Sequence, residues 1–98
     1  MILEVAILDV RPGQEDKFEL AFAEAQAIIS GMAGFVSLEL QRCVERPGRY
    51  ILLVRWQSLE DHTVGFRESP EYVRWRALLH HFYDPLPTVE HYASVVSL

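Results

Sequence analysis

Asparagine is absent from the 98 residues, and lysine occurs once, at Lys17. Cysteine also occurs once, at Cys43, so no intramolecular disulfide can form and no cysteine-based zinc centre can be built. No apolar run approaches the ~20 residues of a membrane-spanning helix. The opening residues Met1 to Val10 carry Glu4 and Asp9 but no basic start, so they do not read as a secretory signal, and a cytoplasmic location is the expectation. No glycine-rich loop precedes a helix. Gly31 and Gly34 flank a helix end, so the donor cradle of a nucleotide site is missing. Positive charge is scarce as well. Nine Lys and Arg against 14 Asp and Glu leave a net charge of -5, which argues against nucleic acid or an anionic membrane as partner.

What remains is an ordinary globular composition, half hydrophobic and 11% aromatic, of a length that fits one domain over residues 1–98. Ile2 to Val10 is β-branched and apolar and reads as a strand, closed by Arg11-Pro12-Gly13. From Gln14 to Gly31 the period changes. Phe18, Ala21, Phe22, Ala25, Ile28 and Ile29 recur at helical steps, with acids near the N-terminal end. Phe35 to Val44 and Arg49 to Gln57 are strands joined at Pro47-Gly48. On the first of them Phe35, Ser37, Glu39 and Gln41 are expected to share one face. Ser58-Leu59-Glu60-Asp61 resembles a capping box that opens a short helix to about Phe66. Ser69-Pro70 opens another helix with Tyr72, Trp75, Leu78, Leu79 and Phe82 as its stripe, ended by Pro85 and Pro87. Thr88 to Val96 reads as the last strand.

The order β-α-β-β-α-β predicts an α+β, ferredoxin-like fold: a four-stranded antiparallel sheet with both helices on one face. The strand Arg49 to Gln57 is apolar on both faces, so the far side of the sheet also needs cover. A short chain buries only part of its surface alone. A second copy, sheet against sheet, is the expected partner.

The stretch from Tyr50 to Tyr92 resembles the antibiotic biosynthesis monooxygenase (ABM) family. The residues that carry the likeness are a strand ending in Trp56, the following Ser-Leu-Glu-Asp-His, Phe66-Arg67, Ser69-Pro70, Tyr72, Trp75 and the closing Pro87-x-Val-Glu-His-Tyr. The resemblance implies a homodimeric α+β barrel. For characterised members it implies oxygenation of phenols or quinols with O2, with neither metal nor flavin. Haem-degrading relatives use an asparagine, a tryptophan and a histidine at positions that fall near Ala6, Phe66 and Arg76, and this chain has no asparagine at all. Some quinol-oxidising members have a histidine where Phe66 stands, which leaves His62, one turn earlier, as its substitute.

Cofactor-free oxygenation needs a base, donors that stabilise the resulting anion, and a dry aromatic-lined cavity. His62 is the expected base, because imidazole titrates near neutrality; the alternative is an exposed helix histidine. Trp56 is expected to offer its indole N–H to a substrate oxygen, or else to close the core. Tyr72, Phe66 and Trp75 are expected to bind a flat aromatic ligand, or to pack helix on sheet. His91 is expected to pack at the seam between copies rather than face the cavity. Glu4 and Arg55 are ambiguous. His80 and His81 point about 100° apart on a helix and do not share a ligand sphere, so no metal is expected. A ligand-binding or stress-response protein of the same fold, without chemistry, is the rival reading.

Overall fold

The computed structural model describes residues 1–98. β1 (Ile2–Asp9) leads through a Pro12-Gly13 turn to α1 (Glu15–Ser30), then to the hairpin of β2 (Phe35–Arg42) and β3 (Arg49–Trp56). A wide helical turn (Asp61–Phe66), α2 (Pro70–Leu79), a tight turn (His80–Phe82) and β4 (Val89–Tyr92) complete the chain. The strands lie in the order β2-β3-β1-β4, all neighbours antiparallel. This is the expected ferredoxin-like sheet.

One side of the sheet is closed by the helices. Ala6 and Leu8 of β1 and Leu52, Val54 and Trp56 of β3 meet Phe18, Phe22, Ala25 and Ile29 of α1 and Trp75 and Leu79 of α2. The other side carries Leu3, Val5, Ile7, Ile51 and Leu53, alternate residues of β1 and β3, and no element of the chain covers them. At one end of that face Arg49 donates to Asp9 at 2.8 Å, while Arg55 makes no ion pair.

Two strand expectations are corrected. The register slips between Phe35 and Ser37, a bulge that turns Phe35 away from the face of Ser37 and Glu39. Its ring lies edge-on to Trp56, 6.0 Å between centroids, and packs on the core. The last strand is also shorter than Thr88 to Val96. Tyr92 pairs with Leu3, almost the first residue of β1, so the residues beyond Tyr92 have no neighbour strand to bond.

Gly34 has φ +83, and a Cβ added to it would strike the Asp61 side chain. Only glycine fits both the left-handed backbone and the close approach. Gly34→Ala is expected to destabilise the protein by at least about 1 kcal/mol, read as a lowered midpoint in urea unfolding. An unchanged midpoint would show that Asp61 yields freely.

Candidate active site

The site is built at one end of the sheet, where β1, β3 and β4 meet the segment joining β3 to α2. Ser58 caps that segment. Its Oγ accepts the Asp61 N–H at 3.2 Å and donates to the Asp61 carboxylate at 3.0 Å. The next turn is wider than an α-helix. The N–H of Arg67 donates to the carbonyl of His62 at 3.1 Å, five residues back. Such π-type turns recur at functional sites because they re-aim side chains. Here both His62 and Phe66 point inward and are buried. Ser69 then starts α2. Its Oγ accepts the Tyr72 N–H at 3.1 Å and donates to the Phe66 carbonyl at 2.6 Å. This cap sets where Tyr72 and Trp75 fall on the helix.

Glu4 is the hub of the polar groups. It lies on β1, opposite Val54 on one side and His91 on the other, and is only 5% exposed. The indole N–H of Trp56 donates to Glu4 Oε1 at 2.9 Å, and His62 Nε2 lies 3.3 Å from the same oxygen. The other ring nitrogen of His62, Nδ1, is 2.7 Å from His91 Nε2; one of the two carries the proton and the other accepts it. The imidazole of His62 also stacks on Trp56, 5.5 Å between centroids at 22°. Glu4, His62 and His91 are therefore strung in a line, His62 hydrogen-bonded to His91 and in contact with Glu4. No group of three His, Cys, Asp or Glu is disposed to hold a metal ion.

Burial dominates the electrostatics. Desolvation raises the Glu4 carboxyl above its ordinary range, while the Trp56 N–H and the Arg67 charge offset part of the rise. Burial pushes the His62 imidazole down to about 3, with Arg67 and His91 adding to the drop, so the ring is neutral at pH 7. His91 is lowered by burial and by Arg67. Arg67 itself is exposed and without an ion pair.

Glu4, His62, Phe66, Arg67, Tyr72, Trp75, His80 and Tyr83 line a common cavity of about 50 Å³. Phe66 stands edge-on to Tyr72 (5.3 Å, 87°) and to Trp75 (5.7 Å, 76°), so the wall is a set of interlocked rings. The volume takes dioxygen or one or two waters; a benzene ring needs about 150 Å³. The exposed Arg67 and the half-buried Tyr72 and His80 are the lining groups with room to turn aside. A wider groove of about 530 Å³ lies between α1 and β2, but its polar groups are spent on one another: Glu19 accepts from both Arg42 and Tyr50.

Of the residues singled out from sequence, His62, Phe66, Tyr72 and Trp75 come together at this cavity. Trp56 stands behind it with its N–H committed to Glu4, not aimed at a ligand. His91 is corrected from the seam to the helix-facing side, on His62. Glu4 was missed as a site residue. The available signal was a lone acid at an inward position of an apolar strand, two residues from Ala6 and four from Leu8.

The ABM family model, antibiotic biosynthesis monooxygenase, matches residues 1–78. The chain belongs to the antibiotic biosynthesis monooxygenase family. It is 53% identical over 95 residues to "Uncharacterized protein YczJ" of Bacillus subtilis (strain 168), covering 97% of this chain and all of that one. A Bordetella bronchiseptica structure described as an antibiotic biosynthesis monooxygenase superposes with a TM-score of 0.92 at 35% identity, over 97% of each chain. SnoaB from Streptomyces nogalater, a cofactor-independent oxygenase solved in a mutant form, shares the fold at 22% identity with a TM-score of 0.78, over 99% of this chain and 95% of its own. This ABM chain has no helix long and apolar enough to cross a membrane.

Proposed function

We propose that this ABM protein is a cofactor-independent monooxygenase of a small phenol or quinol. The observation that carries the reading is the buried line Glu4–His62–His91 ending at a cavity walled by Phe66, Tyr72 and Trp75. A proton leaves a phenolic oxygen for the polar line, and the electron pair stays on the ring as the anion. The anion passes one electron to O2, and the radical pair joins at a ring carbon. Cleavage of the O–O bond then leaves one oxygen as a new carbonyl and releases the other as water. For hydroquinone the balance is hydroquinone plus O2 to hydroxybenzoquinone plus water, with the substrate as the only reductant. The ring walls exclude water from the anion.

The cavity volume favours the single-ring end of this substrate class, entering as Tyr72, His80 and Arg67 turn aside. The uncovered sheet face, with Leu3, Val5, Ile7, Ile51 and Leu53, fits a homodimer joined sheet to sheet, and the free thiol of Cys43 fits a cytoplasmic protein. The rival reading is a binder of small aromatic ligands without turnover. Incubation of the protein with hydroquinone under ¹⁸O2 tests both. One ¹⁸O atom in the quinone product and one in water is the expected result. No enzyme-dependent label, together with thermal stabilisation by phenol, would establish the binder instead.

A further inference from the structure

We propose that Glu4, and not His62, is the catalytic base that meets the substrate hydroxyl, with His62 and His91 as positioning residues behind it. The inference rests on the oxygenase reading above and assigns the proton acceptor within that site. The geometry of the two side chains separates their roles. His62 has its Nδ1 engaged with His91 at 2.7 Å, while its Nε2 lies against Glu4 Oε1 at 3.3 Å, so the carboxylate is the group next to that nitrogen. Glu4 uses only Oε1, which faces both Trp56 Nε1 and His62 Nε2. Its Oε2 has no hydrogen-bond partner, yet no side-chain nitrogen or oxygen in the protein is both enclosed and unpaired, so Oε2 keeps open surface on a residue that lines the cavity. That oxygen carries lone pairs that no group of the protein uses, on a residue that lines the space where a ring would sit.

Three constraints hold the carboxylate still: the strand β1 beneath it, the Trp56 N–H on Oε1, and the His62 ring clamped between Trp56 and His91. A base held this way needs no reorganisation when the proton arrives. In the step, the phenolic O–H bond breaks, a carboxyl O–H bond forms at Oε2, and the electron pair remains on the phenolate oxygen. Arg67 is the one full positive charge lining the site, and it lowers the cost of the new anion there. The raised pKa of Glu4 brings its basicity toward that of the proton it takes. The titratable groups that share the cavity with it are His62, Tyr72, His80 and Tyr83, with His91 behind His62.

Two measurements on the full chain test this. The first is steady-state O2 uptake with hydroquinone. Glu4→Gln keeps the acceptor for Trp56 and is expected to lower kcat about 100-fold or more with KM little changed. His62→Gln is expected to lose much less, and Glu4→Asp to recover part of the rate. The acid limb of the kcat profile, which marks the ionisation of Glu4, is expected to persist in His62→Gln. The second is ¹³C NMR of glutamate-labelled protein titrated with phenol under argon, where no O2 is present for turnover, the Glu4 signal being identified by its loss in Glu4→Gln. The Glu4 carboxyl resonance is expected to shift as the phenolic O–H donates to Oε2, and to saturate. A His62→Gln loss equal to or larger than that of Glu4→Gln would overturn the assignment. So would phenol shifting the imidazole signals and leaving the carboxyl in place. If the wild type does not oxidise hydroquinone at all, the oxygenase reading fails, and the carboxyl titration alone decides whether Glu4 meets the phenolic hydroxyl.

Discussion

Replacing Trp56 with alanine is expected to destabilise the protein by about 3–5 kcal/mol, the largest effect of any single truncation near the site. The indole is fully buried and touches three other rings: Phe35 edge-on at 6.0 Å, His62 stacked at 5.5 Å and Phe66 at 5.9 Å. Alanine would leave a cavity among aromatic groups that cannot collapse, because β3 beneath them is paired on both edges. It would also strip Glu4 of its one short hydrogen bond. Trp56→Phe separates the two contributions, since it keeps a ring and removes only the N–H. Its expected cost is about 1–3 kcal/mol, with the Glu4 pKa driven further up by the loss of the donor. Urea unfolding of both variants reads the difference. Equal midpoints for Trp56→Phe and the wild type would mean that the indole N–H contributes nothing to holding Glu4.

The second large effect is on acid stability. In the unfolded chain the His62 imidazole binds a proton near pH 6.5, whereas burial holds the native ring neutral down to about 3. Between those values the unfolded state carries the extra proton. Stability from this residue is therefore full above pH 6.5 and is lost as pH falls, at up to about 1.4 kcal/mol per pH unit. His91 and His80, also lowered, act with the same sign. Glu4 acts with the opposite sign, since its raised pKa lets the native state hold a proton that the unfolded state has released, and it softens the slope above 4.5. Asp9 and Glu19, held low by Arg49 and by Tyr50 with Arg42, add to the acid loss only below the ordinary carboxylate range. The loss of stability from pH 6.5 to 5 thus comes from the histidines, with Glu4 offsetting part of it. His62→Gln is expected to flatten stability across that window while leaving the steeper fall below pH 4. Parallel curves for variant and wild type would show that native His62 takes up its proton like a free imidazole.

The fold was legible because its cues are local and redundant. Phe18, Phe22, Ala25 and Ile29 mark one side of α1 whatever surrounds them, Pro70 after Ser69 marks a helix start, and Pro47-Gly48 marks a hairpin. The misread ends of strands had non-local causes. Whether Ala93 to Val96 pair depends on how far β1 extends at the other end of the chain, and the Phe35 face depends on a bulge with no glycine to announce it. The site was half legible for the same reason. The rings of Phe66, Tyr72 and Trp75 stand close together in sequence. Glu4 and His91 gain their meaning only from the pairing of β1 with β4, which brings residues 87 positions apart in the chain side by side. Trp56 was recognised as a donor, but its acceptor lay on a strand that sequence spacing does not connect to it.

The wide turn from Asp61 to Phe66 has a consequence for how this site tolerates change. It accommodates one residue more than an α-helical path between the same two anchors, the Ser58 and Ser69 caps. Removing any one of its six residues would let the coil relax to ordinary pitch. Side chains between the deletion and the Ser69 anchor would then swing by roughly 100°, and the alignment of His62 and Phe66 with the acid would be lost. The arrangement is guarded by arithmetic as well as by identity: substitutions at the outward Thr63, Val64 and Gly65 leave the count intact, whereas a single deletion dismantles the geometry.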